Sequence, residues 1–376
     1  MRAMVIGAGV AGPVAALALR RVGWDVTVYE AYADPAGDVG SFVSLGANGL
    51  RALAAVGARD AVAARGTAIP LLRLWSGRGR LLGEAARERV TLMRGHLVET
   101  LRDLAAGAGA ELVTGRRLLD VRDGKAVFDD GTTDAADLVV GADGIHSRLR
   151  TIVDPRAATP VYAGLWTVGG RSAHPVEPGA FNITLGGRAT FVHAATRHGT
   201  LWTAQVPADR PPAGHPTEHL TEHLTEHLTE HLAGLFAGDR SEAVRIIGHT
   251  EQWHPFTVFR QLPSTPVVHR GALVLIGDAA HPIGAGQGAS LAIEDAVVLA
   301  KCLRDGQDLE AFAALRAPRT ARMLRTAGAN VDAKVAGPLA ARVRDVMMPF
   351  FFRRFAAKGS AWMYDYDVEW TTPAQA

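Results

Sequence analysis

The first thirty residues place a glycine-rich turn between a short apolar strand and a helix, with a second strand and an acid after them. The apolar run is Arg-Ala-Met-Val-Ile at 2–6, and the turn follows the pattern G-x-G-x-x-G from Gly7 to Gly12. Glu30 ends the second apolar run, 18 residues after the third glycine. This order is typical of the dinucleotide-binding βαβ unit and predicts a mainly parallel sheet.

Each position of this motif has a physical role in such a unit. Gly7 permits the tight turn, Gly9 lets backbone N–H groups reach a pyrophosphate, and Gly12 lets the helix approach the strand. The helix N-terminus favours an anion, and Glu30 can accept the hydroxyls of an adenosine ribose. The predicted dinucleotide contacts here are Gly7, Gly9, Val10, Ala11, Gly12 and Glu30.

Far along the chain, a second apolar strand leads into an acid and another helix. Residues 272–276 precede Asp278, and a glycine-rich bend then opens a helix over 285–303. An acid beside a helix N-terminus suits a ligand that carries hydroxyls and develops negative charge. The predicted contacts of this bend are Asp278, Gly286, Gln287, Gly288 and Ala289. Only one G-x-G-x-x-G occurs, so one resident dinucleotide and a transient reductant are expected.

A third strand ends in an acid and a glycine. The run 137–140 is followed by Asp143 and Gly144, and then by arginines that include Arg150. Asp143 can orient neighbouring amides or hydroxyls, and Arg150 can pair with phosphate or carboxylate. The same Asp-Gly pair is also compatible with an ordinary turn.

These three motifs, in this order, resemble those of the class A FAD-dependent monooxygenases, the para-hydroxybenzoate hydroxylase-like aromatic hydroxylases. Segments 40–57, 94–97 and 316–322 extend the resemblance over most of the chain outside 155–265. It implies that FAD is the cofactor, with its ADP half on the first motif and its ribityl chain on Asp278.

The resemblance also implies roles for four further residues. Arg94 would contact the ribityl–pyrophosphate region and Leu118 the adenine, while Asp143 and Gly144 would lie near the pyrophosphate and be tied to NAD(P)H use. Two positions differ from the family pattern: Ala285 stands where a proline is usual, and Ser41 stands where some members carry an arginine. The choice between NADH and NADPH therefore stays open.

The segment 156–264 alternates polar and apolar residues as an antiparallel sheet does. One face of this sheet should lie over the flavin, with residues 71–75 added to it from the earlier chain. The substrate-pocket candidates are His193, Trp202, Gln205 and Pro282. For the three sheet residues among them, ordinary sheet packing or surface exposure is the favoured interpretation, and the sequence identifies no catalytic acid or base.

The predicted fold is α/β, in three parts. A Rossmann-like FAD-binding domain with a mainly parallel sheet comprises 1–70, 92–155 and 265–335. An α+β substrate domain with an antiparallel sheet comprises 71–91 and 156–264. Residues 336–376 form a C-terminal helical segment, whose aromatic side chains should pack on the FAD-binding domain; rimming a pocket, docking on a membrane or dimerising are the alternatives.

The predicted function is FAD-dependent, NAD(P)H-consuming monooxygenation. One oxygen atom of O₂ would be inserted, through a flavin C4a-hydroperoxide, into a phenolic or polycyclic aromatic small molecule. Epoxidation or Baeyer–Villiger oxidation of a non-aromatic substrate is the alternative on the same scaffold. A flavin-binding sensor without turnover is the alternative from a different class.

The composition limits which binding partners and which cellular compartment are expected for this protein. A formal net charge of +2 provides no bulk electrostatic reason to bind nucleic acid or an anionic membrane. The single cysteine, Cys302, excludes an internal disulfide and favours a reducing, cytoplasmic location. We expect no stable membrane insertion and a monomer or homodimer. The fourfold Thr-Glu-His-Leu repeat at 217–232 reads as a surface helix, and we predict no metal there because its histidines lack the HEXXH order.

Overall fold

A six-stranded, mostly parallel sheet forms the first layer of the protein. The computed structural model describes residues 1–33, 41–122, 124–212, 222–284, 286–334 and 338–374. The strands, in spatial order, are His269–Arg270, Leu273–Leu275, Leu138–Gly141, Arg2–Ile6, Asp25–Tyr29 and Glu111–Val113. Every neighbouring pair is parallel except the first. The central strand is buried along most of its length, as expected of a parallel strand covered on both faces.

Some of the described helices cover one face of this parallel sheet, and others lie elsewhere in the fold. The described helices are Ala11–Arg21, Ala47–Ala55, Arg59–Arg65, Arg94–Gly107, Arg148–Val153, Glu222–Phe236, Ala243–Gly248, Gly288–Arg304, Leu309–Lys334 and Pro338–Tyr364. Ala11–Arg21 packs between the sheet and Gly288–Arg304, where small side chains allow close approach. The other face is covered by a three-stranded antiparallel sheet of Leu118–Arg122, Lys125–Phe128 and Thr133–Ala135.

The second layer is a seven-stranded sheet. Its strands, in spatial order, are Thr250–Gln261, Val161–Ser172, Gly199–Pro207, Thr190–Thr196, Ala180–Leu185, Leu71–Ser76 and Leu81–Ala86. Leu71–Ser76 joins the sheet from the earlier chain, as predicted, and pairs in parallel with Ala180–Leu185. All other neighbouring strands are antiparallel.

A small three-stranded sheet connects the two layers, and the sequence did not predict it. It contains Phe42–Gly46, Arg89–Met93 and Thr67–Ala68. One face contributes Leu45, Val90 and Leu92 to the main core. The opposite face meets the large sheet, where the rings of Phe42 and Phe181 lie 6.4 Å apart between centroids.

The residues after the last helix pack against the parallel-sheet layer, as favoured for this segment, whereas the helix Pro338–Tyr364 also contacts the strand Leu81–Ala86 of the large sheet, with Phe352 against Gly83. Lys301 donates hydrogen bonds to the carbonyls of Val368 and Glu369 at 2.9 and 2.7 Å. Tyr366 and Trp370 contact the main core. The helix ends at Tyr364, so the last part of the predicted helical segment is irregular.

Leu118–Arg122 and Lys125–Phe128 pair as an antiparallel hairpin, and Leu138–Gly141, the strand that leads to Asp143, belongs to the parallel sheet. The Thr-Glu-His-Leu repeat is described only from Glu222, where a helix begins and buries Leu232 against the large sheet. Gly40, residues 217–221 and Ala285 lie outside the described residues.

Candidate active site

The three sequence motifs meet at one edge of the parallel sheet. Parallel strands present their carboxyl ends at the same edge, so the loops after them converge. Gly7 N–H donates to the Tyr29 carbonyl at 2.7 Å, and Ala142 N–H donates to the Ile6 carbonyl at 2.8 Å. Ile276 N–H continues the series with the Gly141 carbonyl at 2.9 Å. The edge thus assembles loops that lie more than 260 residues apart in the chain.

The glycine turn has the shape of a phosphate cradle. Gly7 has a φ of +102°, and a Cβ there would lie 2.4 Å from the Ala142 carbonyl oxygen. A Cβ on Gly12 would lie 1.9 Å from the Gly7 carbonyl oxygen. A Cβ on Gly9, in contrast, would meet nothing closer than the Arg94 guanidinium at 4.0 Å. Two glycines therefore allow the turn itself, whereas Gly9 faces open space.

The helix after this turn is open to an anion. Its N-cap residue, Val10, provides no side-chain cap, and no acid lies in the first turn, which begins at Ala11. The positive end of the helix dipole and its free N–H groups are thus directed at the space beside Gly9. These features fit the pyrophosphate of a dinucleotide.

Glu30 is buried beside the turn. Its Oε2 accepts a hydrogen bond from Ala8 N–H at 2.8 Å, and its Oε1 accepts one from Tyr32 N–H at 3.1 Å. Arg102 Nε donates to the Ala8 carbonyl at 2.7 Å from the other side. The carboxylate thus organises the turn, and its remaining lone pairs suit ribose hydroxyls.

Asp278 lies in the same cleft, facing Arg94. Its side chain is exposed, yet burial of the carboxyl among protein atoms raises its pKa, and the charges of His281 and Arg94 oppose that rise. Solvent can reach the Asp278 carboxylate, but protein atoms surround it on most sides, so it lies in a deep cleft. No described residue donates a hydrogen bond to it, so its acceptors are available to ligand hydroxyls.

A second open helix N-terminus borders Asp278. The helix Gly288–Arg304 has Gln287 as its N-cap, with neither a side-chain cap nor an acid in its first turn. Gly286 has a φ of +135° and is exposed, and Gly288 and Ala289 are partly exposed. This end of the cleft therefore offers backbone donors for a group that gains negative charge.

A buried ionic network supports the turn from behind. Asp295 accepts hydrogen bonds from Gly277 N–H at 2.9 Å and Arg316 Nε at 2.7 Å, and it contacts His281. Burial alone would raise the pKa of Asp295, but His281 and Arg316 hold it well below its usual range. Burial would also lower the pKa of His281, but the Asp295 carboxylate raises it. Neighbouring Glu294 pairs with Arg319 at 2.6 Å in the same network.

Asp143 has a structural role in its loop. Its Oδ2 accepts hydrogen bonds from the N–H groups of Arg148 and Leu149 at 2.8 and 3.0 Å, which caps the helix Arg148–Val153. Arg150 donates to carbonyls of Ala279 and Ile145, so it joins two loops of the cleft. Gly144 is partly exposed with a φ of +76°, as in a tight turn.

Leu118 is only 5% exposed and packs with Tyr29 and Phe128. Little of its side chain is therefore available to a ligand.

The large sheet divides the predicted pocket residues between its two faces. His193 and Trp202 are paired across neighbouring strands and share a face, which helices Glu222–Phe236 and Ala243–Gly248 cover. Trp202 is fully buried there, with its Nε1 donating to Thr250 Oγ1 at 3.0 Å. Burial lowers the pKa of His193 to about 4. The structure thus places both residues in a packed cluster, away from the small sheet.

Gln205 lies on the opposite face of the same sheet, and Pro282 is buried after His281. On that opposite face, a cavity of about 200 Å³ separates the large sheet from the small sheet and the start of helix Arg94–Gly107. Its lining includes Thr91, Met93, His96, Arg171, Leu201 and His254. Met93 and His96 flank Arg94, so the cavity adjoins the cleft.

None of these cavity residues was predicted from the sequence. They come from five elements, the helix Arg94–Gly107 and four strands, and no local motif brings them together in the sequence. Within the described ranges, no group of three histidine, cysteine, aspartate or glutamate side chains could hold a metal ion. None of the described helices is long and apolar enough to cross a membrane.

Comparison with known proteins agrees with this geometry. Residues 1–327 match the FAD binding domain family. The chain is 32% identical over 350 residues to a 3-amino-4-hydroxybenzoate 2-monooxygenase from Streptomyces cremeus, covering 87% of this chain and 86% of that protein. It is 31% identical over 337 residues to a 6-hydroxynicotinate 3-monooxygenase from Pseudomonas fluorescens, covering 81% and 83%.

The fold also matches that of Klebsiella pneumoniae HpxO complexed with FAD and uric acid, with a TM-score of 0.82 at 23% identity and 97% coverage of each chain. The open cradle at Gly9, the Asp278 carboxylate facing Arg94 and the two open helix N-termini together fit the dinucleotide that this family binds. The chain therefore belongs to the FAD binding domain family and is an FAD-dependent monooxygenase of the class A, para-hydroxybenzoate hydroxylase-like type.

Proposed function

We propose that this enzyme hydroxylates a phenolic or polycyclic aromatic small molecule, with O₂ as the oxygen source and NAD(P)H as a transient reductant. The observation that carries the proposal is the cavity of about 200 Å³ next to Arg94. It lies between the small sheet and the large sheet, beside the helix that begins at Arg94, whose guanidinium faces the cradle at Gly9. The relatives named for 3-amino-4-hydroxybenzoate and 6-hydroxynicotinate support an aromatic substrate.

The cofactor contacts follow from the cleft. The turn from Gly7 to Gly12 would hold the pyrophosphate, Glu30 the adenosine ribose, and Asp278 with Arg94 the ribityl region. When bound, FAD supplies the redox chemistry that activates O₂. The backbone N–H groups at Gly288 and Ala289 would stabilise negative charge on the cofactor, without reorganisation, because the helix already orients them.

The residues around the cavity would position the substrate. The cavity lies between the small sheet and the large sheet; Leu92, Met93 and Leu201 contribute apolar surface to it, and its other lining residues are polar or charged. Displacement of water by a substrate that fills the cavity would favour oxygen transfer over loss of reducing equivalents as H₂O₂. The single G-x-G-x-x-G motif supports a reductant that binds only transiently.

Purified protein tests the proposal directly. It should be yellow, and an aromatic substrate should stimulate NADH or NADPH oxidation with matching O₂ uptake and a product heavier by one oxygen atom. Stimulated oxidation with an epoxide or ester product would favour the epoxidase or Baeyer–Villiger alternative. FAD binding without turnover across a broad substrate panel would favour the sensor.

Asp278→Ala should lower FAD occupancy by at least about tenfold, because the ribityl hydroxyls lose a charged acceptor. Measured absorbance of bound flavin per protein gives the occupancy. The matched control is Asp25→Ala, whose carboxylate is 82% exposed at the far end of the same sheet and should leave occupancy unchanged. Full occupancy in Asp278→Ala would refute its assignment to the cofactor.

A further inference from the structure

His281 is a buried titratable residue directly behind the turn that carries Asp278. It is 6% exposed, and its backbone N–H donates to the Gly277 carbonyl at 2.8 Å, which closes the turn. Its Nε2 donates to the Asp295 carboxylate in the buried ionic network described above. His281 thus joins the edge of the parallel sheet to the helix Gly288–Arg304, and none of the cofactor or substrate contacts proposed above involves its side chain.

The charges of this buried network cancel only when His281 is neutral. Arg316 pairs with Asp295 at 2.7 Å, and Arg319 pairs with Glu294 at 2.6 Å. Among the residues that the structure describes, no other carboxylate forms a salt bridge with these cations. A proton on His281 therefore leaves one excess positive charge behind the turn. A buried excess charge is costly unless a nearby group compensates it.

The excess charge acts on the cofactor cleft. Burial raises the pKa of Asp278; His281 opposes that rise most strongly and Arg94 less, whereas Asp295 adds to it. Burial would lower the pKa of His281, but the Asp295 carboxylate raises it, Arg316 opposes that rise and Asp278 adds to it. Of the cations in the buried network, His281 is therefore the one that acts most strongly on the carboxylate at the cleft.

Reduction of the cofactor produces a charge that such a cation can stabilise. Transfer of a hydride from NAD(P)H brings two electrons and one proton to FAD, so the reduced cofactor gains one negative charge. A fixed cation in surroundings of low dielectric constant stabilises that charge without reorganisation. The backbone N–H groups of Gly288 and Ala289 carry partial charges, whereas an imidazolium carries a full one.

We propose that Asp295 holds His281 as an imidazolium, and that this charge, acting from behind the turn, stabilises the reduced cofactor and raises the reduction potential of bound FAD. The inference requires neither an aromatic substrate nor a particular reductant. It rests on the proposed ribityl contact of Asp278, which Asp278→Ala tests separately.

The test measures the midpoint potential of bound FAD by spectroelectrochemistry, in the holoenzyme without substrate. His281→Gln retains a donor for Asp295 but removes the charge, so reduced FAD should bind about tenfold more weakly relative to oxidised FAD. For a two-electron couple, this change corresponds to a potential about 30 mV more negative. His281→Lys retains a positive charge and should keep the affinity ratio within about threefold of wild type.

His269→Gln is the matched control. His269 lies in the same sheet, and its Nε2 also contacts an acid, Glu310, at 3.1 Å. Its side chain is 23% exposed and that of Glu310 is 80% exposed, so solvent screens the pair. The potential of bound FAD should therefore be unchanged in this variant.

Nitrogen NMR of the histidine-labelled wild-type holoenzyme tests the charge without any variant. At about pH 8, above the ordinary histidine pKa of about 6.5, one imidazole should still have both ring nitrogens protonated. This signal should be missing from His281→Gln and retained in His269→Gln.

Three results would overturn the proposal. One is the absence of any imidazolium signal at about pH 8 in the wild-type holoenzyme. Another is an unchanged ratio of reduced to oxidised affinity in His281→Gln, even with weaker FAD binding overall, because that pattern indicates a purely structural role. The third, which applies also if the glutamine variant does not fold, is a loss of about tenfold or more in the same ratio in His281→Lys.

Discussion

The edge of the parallel sheet and the large antiparallel sheet acquire their functional groups in different ways. At the edge, the polar groups follow directly after strands, as Gly7 follows Ile6 and Glu30 follows Tyr29. In the large sheet, the polar and packed residues alternate along one strand, so that Trp202 and Thr203 point to opposite faces. A loop after a strand can be located from local sequence, whereas the functional face of a sheet depends on which elements cover it.

The largest expected effect is at the edge of the parallel sheet, where alanine substitutions of two glycines in one motif should have different consequences for folding. Gly12→Ala should abolish folding to a flavin-binding state, because its Cβ would lie 1.9 Å from the Gly7 carbonyl oxygen. Gly9→Ala should fold with an unchanged melting temperature in the absence of FAD and bind FAD more weakly, since its Cβ would enter open space at the cradle. Circular dichroism and flavin content distinguish the two. Equal loss of folding in both would contradict the assignment of Gly9 to the cradle.

The next effect compares the two faces of the large sheet at neighbouring positions. Trp202→Ala should lower the free energy of unfolding by about 3–5 kcal/mol, because Trp202 is fully buried against Phe191. Thr203→Ala, one residue on, should cost about 1 kcal/mol, since it loses a hydrogen bond to the Val168 carbonyl and little buried surface. Chemical denaturation measures both.

If Trp202→Ala left stability intact and instead changed substrate KM, Trp202 would belong to the substrate pocket, as the sequence suggested. That outcome would reverse the distinction between the faces.

The smallest effect is on pH dependence and concerns His193, on the covered face. Its pKa is about 4 in the folded protein because of burial, although Glu242 opposes the decrease, against 6.5 for an ordinary histidine. The unfolded chain therefore takes up the proton first, so this stabilisation is present above about pH 6.5 and is lost as the pH falls towards 4. The whole effect is at most about 3 kcal/mol.

His193→Gln should therefore make the free energy of unfolding less dependent on pH between about pH 4 and 6.5, as measured by denaturation across that range. An unchanged slope would show that His193 is hydrated in the folded protein. That result would place His193 on a solvent-accessible face. It would contradict the distinction between the helix-covered face of the large sheet and the face that borders the cavity.

Much of the cofactor site could be predicted because each of its motifs is contiguous. Gly7 to Gly12 and Asp278 lie in short segments whose strand, turn and helix are encoded together. The cofactor roles of Asp143 and Leu118 stay predictions. The structure adds that Asp143 accepts hydrogen bonds from the first N–H groups of the helix Arg148–Val153 and that Leu118 is only 5% exposed, which no local motif indicates.

The substrate side could be predicted only in outline. Alternation correctly indicated strands around His193 and Trp202, but a period of two assigns residues to faces without saying which face is covered. The repeat helix covers the face with the aromatic residues, and the unpredicted small sheet meets the other. The cavity residues follow from that second contact alone.

The sequence by itself determined the nucleotide turn, the parallel sheet and the chemistry of the cleft, because short-range steric and dipole effects dictate them. Tertiary structure alone decided which face of the large sheet borders the cavity and which buried charges find partners. The reason is physical: a charge is costly only relative to its surroundings, and those surroundings come from distant parts of the chain. Arg316 and Arg89 are both buried arginines, yet within the described part of the chain only Arg316 forms salt bridges with acids.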